Sequence, residues 1–335
     1  MLSSSLQRCC HQIKKQNARR HYDEDFAGEV VESNDDAADA AVLGEARAEK
    51  TGDVQGERRR RLKPGDKVFG TADIALGAFA EYVSVPAGNV ALKPENVSWE
   101  AAAALPTSGQ TALQALRIGG ELRAGDRVLV NGGSGGVGSF AVQLAKASEA
   151  HVTAVCSTRN VEMVKSLGAD VVIDYTQQSV DAFSAAAGEV KYDKIIDAVG
   201  RYQWRHLLSS DGGVVVAVAL PDPESECIPC QLCFVACFSS HCCCCLSSKK
   251  SALLLQIVST ADLEKLAAMA GEGTIQPALG LRLVGIDAIP DALASHFETN
   301  SFGRGHRVGK TTVSFTHDAR PPEVEEMVGR PSTRA

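Results

Sequence analysis

The sequence predicts an α/β protein, a doubly wound parallel sheet joined to a smaller β-rich lobe. Three observations predict it. From Gly125 onward, apolar runs of four to seven residues alternate with helical stretches, as expected of a parallel sheet covered on both faces. The first βα unit of that alternation holds a glycine-rich turn within residues 128–138. Upstream, short strand-like runs punctuated by turns lead into helices.

Taken in order, residues 25–32 read as a short strand, and 33–61 lose all periodicity and read as a disordered insertion. A Lys-Pro-Gly-Asp turn at 63–66 precedes a strand at 67–70. Residues 78–85 alternate like a strand, and 90–93 form another, ended by Pro94. Ser98 caps a helix with Glu100 in its first turn, and helix continues over 106–116. The regular region then predicts strands at 127–130, 151–156, 171–174, 194–198 and 214–219, with helices at 139–147, 161–167, 179–187 and 202–209. Later helices are expected at 261–270 and 289–298 and a last strand at 308–315. Residues 316–335 read as a disordered tail.

Bulk properties narrow the function. The chain of 335 residues is 44% hydrophobic and 22% charged, with a net charge of −7, which gives no electrostatic case for nucleic acid. No apolar run reaches the roughly 18 residues of a membrane span. Residues 1–24, basic and without an acid before Asp23, read as a disordered or targeting segment. The expected location is intracellular, cytoplasmic or mitochondrial. Of eleven cysteines, eight lie between Cys227 and Cys245, unlike the even framework of a secreted disulfide domain.

Gly133, Gly135 and Gly138 fit G-x-G-x-x-G, with Ser134, Gly136 and Val137 between them. Glycines at these places allow a tight turn, a close backbone approach to pyrophosphate, and packing of helix on strand. The helix that follows offers N–H groups and a positive dipole end to phosphate. An acid normally follows about 20 residues on, to hold a ribose 2′-hydroxyl. Here the second strand ends in Cys156-Ser157-Thr158-Arg159, with no acid before Glu162. Ser157 and Arg159 suit a 2′-phosphate, because a guanidinium pairs with phosphate oxygens in a planar fork. NADPH is therefore expected over NADH. Val199 and Gly200 end the fourth strand, where a cofactor would cross the sheet edge.

The stretches DFAGEVVE (25–32), LKPGDKVFG (62–70), GAFAEYVSVP (77–86), AALPTSGQTALQAL (103–116), GDRVLVNGGSGGVGSFAVQLAK (125–146), CSTRNVEMVKSLGADVVIDY (156–175), DLEKLAAMAGEGTIQP (262–277) and VGKTTVSF (308–315) carry a family resemblance. The chain resembles the zinc-independent quinone oxidoreductases (zeta-crystallin-like) of the medium-chain dehydrogenase/reductase superfamily. That resemblance implies a Rossmann NADPH-binding domain at 117–258 beside a GroES-like lobe built from 25–116 and 259–315. It implies transfer of a hydride from NADPH to a quinone or an α,β-unsaturated carbonyl, without zinc. It also places Tyr175 near the adenosine phosphate and Thr111 near the nicotinamide, and it implies a homodimer. The family carries about two strands and a substrate-facing loop ahead of its counterpart of 25–32, whereas 24 unrelated residues stand there in this chain. The GroES-like lobe is thus expected to be incomplete, as if truncated at the N-terminus. No residue is singled out as a general acid.

Residues 221–258 read as an irregular, cysteine-rich segment. Cys227, Cys230, Cys233 and Cys237 follow C-x₂-C-x₂-C-x₃-C, a spacing used for iron–sulfur clusters, and Cys227, Cys230, Cys233 and His241 are ligand types for zinc. Phe238 replaces the usual proline and a Cys242–Cys245 run follows, so a degenerate segment is the first reading and no metal ligand is assigned. Two alternatives to an active reductase stand beside the main reading: a non-catalytic NADPH-binding remnant, and a metal-binding module at 227–245.

Overall fold

The computed structural model describes residues 25–31, 62–72, 78, 80, 82–200, 204–209, 212–219, 250–254, 256–285 and 309–314. The expectations for 1–24, 33–61, 227–245, 289–298 and 316–335 lie outside the described residues.

A small antiparallel sheet comes first, from β1 (Asp25–Glu29), β2 (Lys67–Thr71) and β3 (Val90–Leu92), in the order β1-β2-β3. The Ser98 hydroxyl accepts the Ala101 N–H at 3.1 Å and starts α1 (Trp99–Ala104). α2 (Pro106–Arg117) follows, with proline at its first turn, where the missing N–H costs nothing.

The main sheet is all parallel. Its strands are β4 (Arg127–Asn131), β5 (His151–Cys156), β6 (Val171–Asp174), β7 (Lys194–Asp197), β8 (Val214–Ala217) and β9 (Lys250–Leu253), in the spatial order β6-β5-β4-β7-β8-β9. The chain leaves β4 for β5 and β6 through α3 (Gly136–Ala147) and α4 (Val161–Ser166). It returns through α5 (Val180–Ala186) to lay β7 on the other side of β4. The order reverses at β4 and β7, and folds of this kind bind their ligands beyond the C-terminal ends of the strands at such a point. Val128, Leu129, Val130, Ile195 and Ile196 are wholly buried, which is why these strands read as continuous apolar runs. Each large side chain contributes about 1.5–3 kcal/mol by leaving water. Lys194 is buried too, its ammonium donating to the Leu116 and Gly120 carbonyls at the end of α2. Burial pushes its pKa down, against the pull of Asp126.

The C-terminal part folds back onto this body. The Ser259 hydroxyl caps α6 (Thr260–Gly271), and Asp262 in its first turn bonds Gln114 and Arg117 of α2. The Gln143 amide of α3 exchanges two bonds with the Gln276 backbone, at 2.8 and 2.9 Å. β10 (Leu279–Val284) and β11 (Lys310–Ser314) then form a two-stranded parallel ribbon.

Five expectations are corrected. The described residues of 78–85 form no strand: the Ala80 N–H turns back to the Ala78 carbonyl, and Tyr82 is 73% exposed, so the alternation has no ladder to serve. The helix expected at 202–209 is, among the described residues, a single 3₁₀ turn, Arg205–Leu207. The Tyr192 backbone bonds Leu207 and Ser209 and pulls the chain extended there. Helix α3 begins at Gly136 rather than at 139, because glycines 136 and 138 are needed for contact and not for breaking the helix. β9 lies inside the stretch read as irregular, and β10 is a strand where none was expected.

Candidate functional site

The point where the strand order reverses, at the ends of β4 and β7, is shaped by backbone. Gly132 leaves β4 with a left-handed φ of +80° that a side chain would resist. Its N–H and that of Gly133 both bond the Val155 carbonyl of β5, at 3.2 and 2.9 Å. The tight turn therefore rests on Gly132, one residue earlier than the motif suggests. Gly133 instead packs: a Cβ there would stand 3.0 Å from the Ala154 Cβ and 3.5 Å from a Val164 methyl. Gly138 lets α3 press onto the turn, since its Cβ would fall 2.0 Å from the Gly132 carbonyl oxygen.

Gly135 is the N-cap of α3 in extended conformation, and the N–H groups of Gly136, Val137 and Gly138 have no acceptor among the described residues. Among the described residues, a Cβ on Gly135 would come within 4 Å of the Gly132 oxygen alone, at 3.4 Å. Three N–H donors at a positive helix end, behind a glycine with open space in front, form a cradle for an anion such as a pyrophosphate.

On the neighbouring strand, the wholly buried Asp197 carboxylate organises the end of β7. Its Oδ1 accepts from the Asn131 amide at 2.8 Å and from the Val199 and Gly200 N–H groups at 3.1 and 3.0 Å. Gly200 takes φ +87°. Val199 is exposed, and its methyl closes on Gly132, 2.9 Å from where a Cβ would stand. The structure thus brings Val199 and the glycine turn together.

Ser134 and Ser157 are joined through Asn160, whose amide donates to both hydroxyls, at 3.0 and 3.3 Å. Ser157 is buried and faces this network, whereas Arg159 is exposed in the short 3₁₀ turn Thr158–Asn160. Tyr175 follows β6 with its side chain 45% exposed and its N–H on the Cys156 carbonyl. Thr111 is buried in α2, and its hydroxyl donates to the Thr107 carbonyl at 2.6 Å, one turn back. The Cys156 thiol is pushed up to about 11, first by burial and then by the charge of Asp174.

Several residues at the site escaped sequence reasoning. The Gly309 N–H donates to the Ser134 carbonyl at 2.9 Å and forms an isolated bridge with Gly135, which ties the glycine turn to the far end of the chain. A Cβ on Gly309 would fall 1.8 Å from the Ala278 oxygen. Lys310 lies along Gly136 and pairs with Asp25 at 3.0 Å, and Asp25 accepts from the Thr107 N–H and hydroxyl. Asn131 and Asp197 carried a readable signal, as polar residues that each close an apolar strand. Gly309 and Lys310 carried none within reach of the motif. Among the described residues, no group of three or more His, Cys, Asp or Glu side chains could hold a metal ion, and no helix is long and apolar enough to cross a membrane.

Residues 136–241 match the family model described as zinc-binding dehydrogenase. The chain is 40% identical over 172 residues to a 2-methylene-furan-3-one reductase of Solanum lycopersicum, covering 49% of this chain and 43% of that protein. It is 38% identical over 172 residues to an NADPH-dependent alkenal/one oxidoreductase, chloroplastic, of Arabidopsis thaliana, with the same coverage, 49% and 43%. The chain thus spans less than half the length of these curated relatives. Among solved structures it resembles the quinone oxidoreductase from Coxiella burnetii, with a TM-score of 0.63, 27% identity, and coverage of 88% of this chain and 78% of that one.

Proposed function

We propose that this chain, a homologue of the quinone and enone oxidoreductases of the medium-chain dehydrogenase/reductase superfamily, binds NADPH and reduces a quinone or an α,β-unsaturated carbonyl. The observation that carries the reading is the cradle at the start of α3. Three N–H donors and an open glycine stand at the point where the strand order reverses. In this reading the N–H groups of Gly136, Val137 and Gly138 hold the pyrophosphate, with Gly133, Ser134 and Gly135 shaping the approach. Val199 and Gly200, fixed by Asp197, flank the cofactor where it crosses the sheet edge. Arg159 and Tyr175 serve the adenosine end, where Ser157 acts through the bond it accepts from Asn160, and Thr111 serves the nicotinamide end.

The nicotinamide supplies the hydride when bound. The protein contributes orientation and exclusion of water, and no metal is assigned a part. The reading includes two lobes, a Rossmann domain at 117–258 and a GroES-like lobe from 25–116 and 259–315, and a homodimer as the assembled form. A fluorescence titration with NADPH, followed by NADPH oxidation assays with a quinone and an enone, tests it. Saturable binding with turnover of either acceptor supports the reductase. Binding without turnover of either leaves a nucleotide-binding protein in its place.

A further inference from the structure

We propose that Asp174, on the strand beside the one that carries the usual ribose reader, sets the balance between NADPH and NADH. The inference rests on the dinucleotide reading above. Asp174 ends β6 and pairs in register with Cys156, the last residue of β5. Its Oδ2 accepts from the Thr158 hydroxyl at 2.6 Å, and its Oδ1 from the Thr176 N–H and hydroxyl at 2.9 and 2.7 Å. The bond from Thr158, joined by those from Thr176, holds its carboxyl below the ordinary carboxylate range, so the group is charged at neutral pH.

This changes what residues 157–159 offer. Ser157 is buried and turned to Asn160, and the Thr158 proton is given to Asp174. Arg159 follows Thr158 in a turn that is bonded to this negative charge on β6. A 2′-phosphate adds about −1.5 to −2 charges near such a group, whereas a 2′-hydroxyl donates to a carboxylate. Asp174 therefore does from the third strand what an acid at the end of the second strand does in sites that hold the 2′-hydroxyl. It opposes the preference that Arg159 confers, so both cofactors bind with affinities closer than the motif alone implies.

The test is a pair of fluorescence titrations, NADPH and NADH, on the full chain and on Asp174→Asn, at low and high salt. The expected result is a rise of on the order of tenfold in the NADPH-to-NADH affinity ratio at low salt, shrinking at high salt as the charge is screened. Asp174→Ser, a second uncharged variant, gives the same shift, which covers the case in which Asp174→Asn does not fold. Thr158→Val, which keeps the charge, moves the ratio by less than about twofold on that same charge argument. Equal changes in both affinities, or a shift indifferent to salt, would overturn the role of Asp174 and leave the dinucleotide reading standing. Failure of the unaltered chain to bind either dinucleotide would overturn that reading, and this inference with it.

Discussion

Gly138→Ala and Gly135→Ala separate folding from binding within one motif. At 138, a Cβ would stand 2.0 Å from the Gly132 oxygen, 2.7 Å from its carbonyl carbon and 3.0 Å from the Gly133 Cα. All three are backbone atoms, so no side chain can swing aside. Ordinary contact begins near 3.4 Å, which means helix α3 must back away from the turn by more than 1 Å. The helix has little room to move, because Phe140, Ala141 and Val142 in its first two turns are all wholly buried. Overpacking of this kind costs about 2–4 kcal/mol. For a body of this size that lowers the thermal midpoint by roughly 5–15 °C. At 135, φ −80° and ψ 176° suit alanine, and the nearest atom is 3.4 Å away. Loss of a glycine N-cap costs at most about 1 kcal/mol, while the new methyl stands on the open side of the cradle. Differential scanning fluorimetry with NADPH titration reads both effects. Gly138→Ala loses stability, and Gly135→Ala keeps it and binds NADPH at least about tenfold more weakly, a loss of about 1.4 kcal/mol. An unchanged midpoint for Gly138→Ala would refute the packing argument, and unchanged binding by Gly135→Ala would refute the cradle.

Other expectations follow from particular contacts. Asp197→Ala strips a buried acceptor from the Asn131 amide and two backbone N–H groups, so it lowers stability by about 2–4 kcal/mol in chemical denaturation and weakens NADPH binding. Asp170 is pushed up by burial, but the Lys146 bond, the Val152 N–H and nearby positive charge outweigh this and hold it low. The stability it contributes is therefore present above the ordinary Asp range and is lost as pH falls through its lowered value. Asp170→Asn costs at most about 1 kcal/mol at pH 7, because the lysine is well exposed, and that difference vanishes in urea titrations at acid pH. Cys156, buried with its thiol held near 11, resists iodoacetamide at pH 8 in the folded chain and reacts after denaturation, as read by peptide mass mapping.

The legible parts of the fold were those in which local pattern and tertiary setting agree. Strands β5 and β6 run over the residues expected because each is a short run rich in valine and other strand formers, closed by turns. β10 had a signal, with Leu279, Leu281 and Leu283 alternating, but its partner β11 lies across 25 intervening residues and only that pairing makes it a strand. β9 opens with Lys250 and Ser251 after a cysteine-rich run, so no apolar stretch announces it. The described residues of 78–85 carried the opposite lesson, since their alternation meets no ladder partner among the described residues and makes no strand there. At the site, the glycine motif was readable because its constraints are local. The duties within it were not: the left-handed turn fell to Gly132, and the Gly309 clamp and the Asp174 charge arrive from other strands.

The most direct test of the central claim is equilibrium binding of NADPH to the unaltered chain, set beside Gly135→Ala. Saturable one-to-one binding that the glycine substitution weakens at least about tenfold, equivalent to 1.4 kcal/mol, is the predicted result. No binding by a folded chain, or binding that Gly135→Ala leaves unchanged, would contradict it.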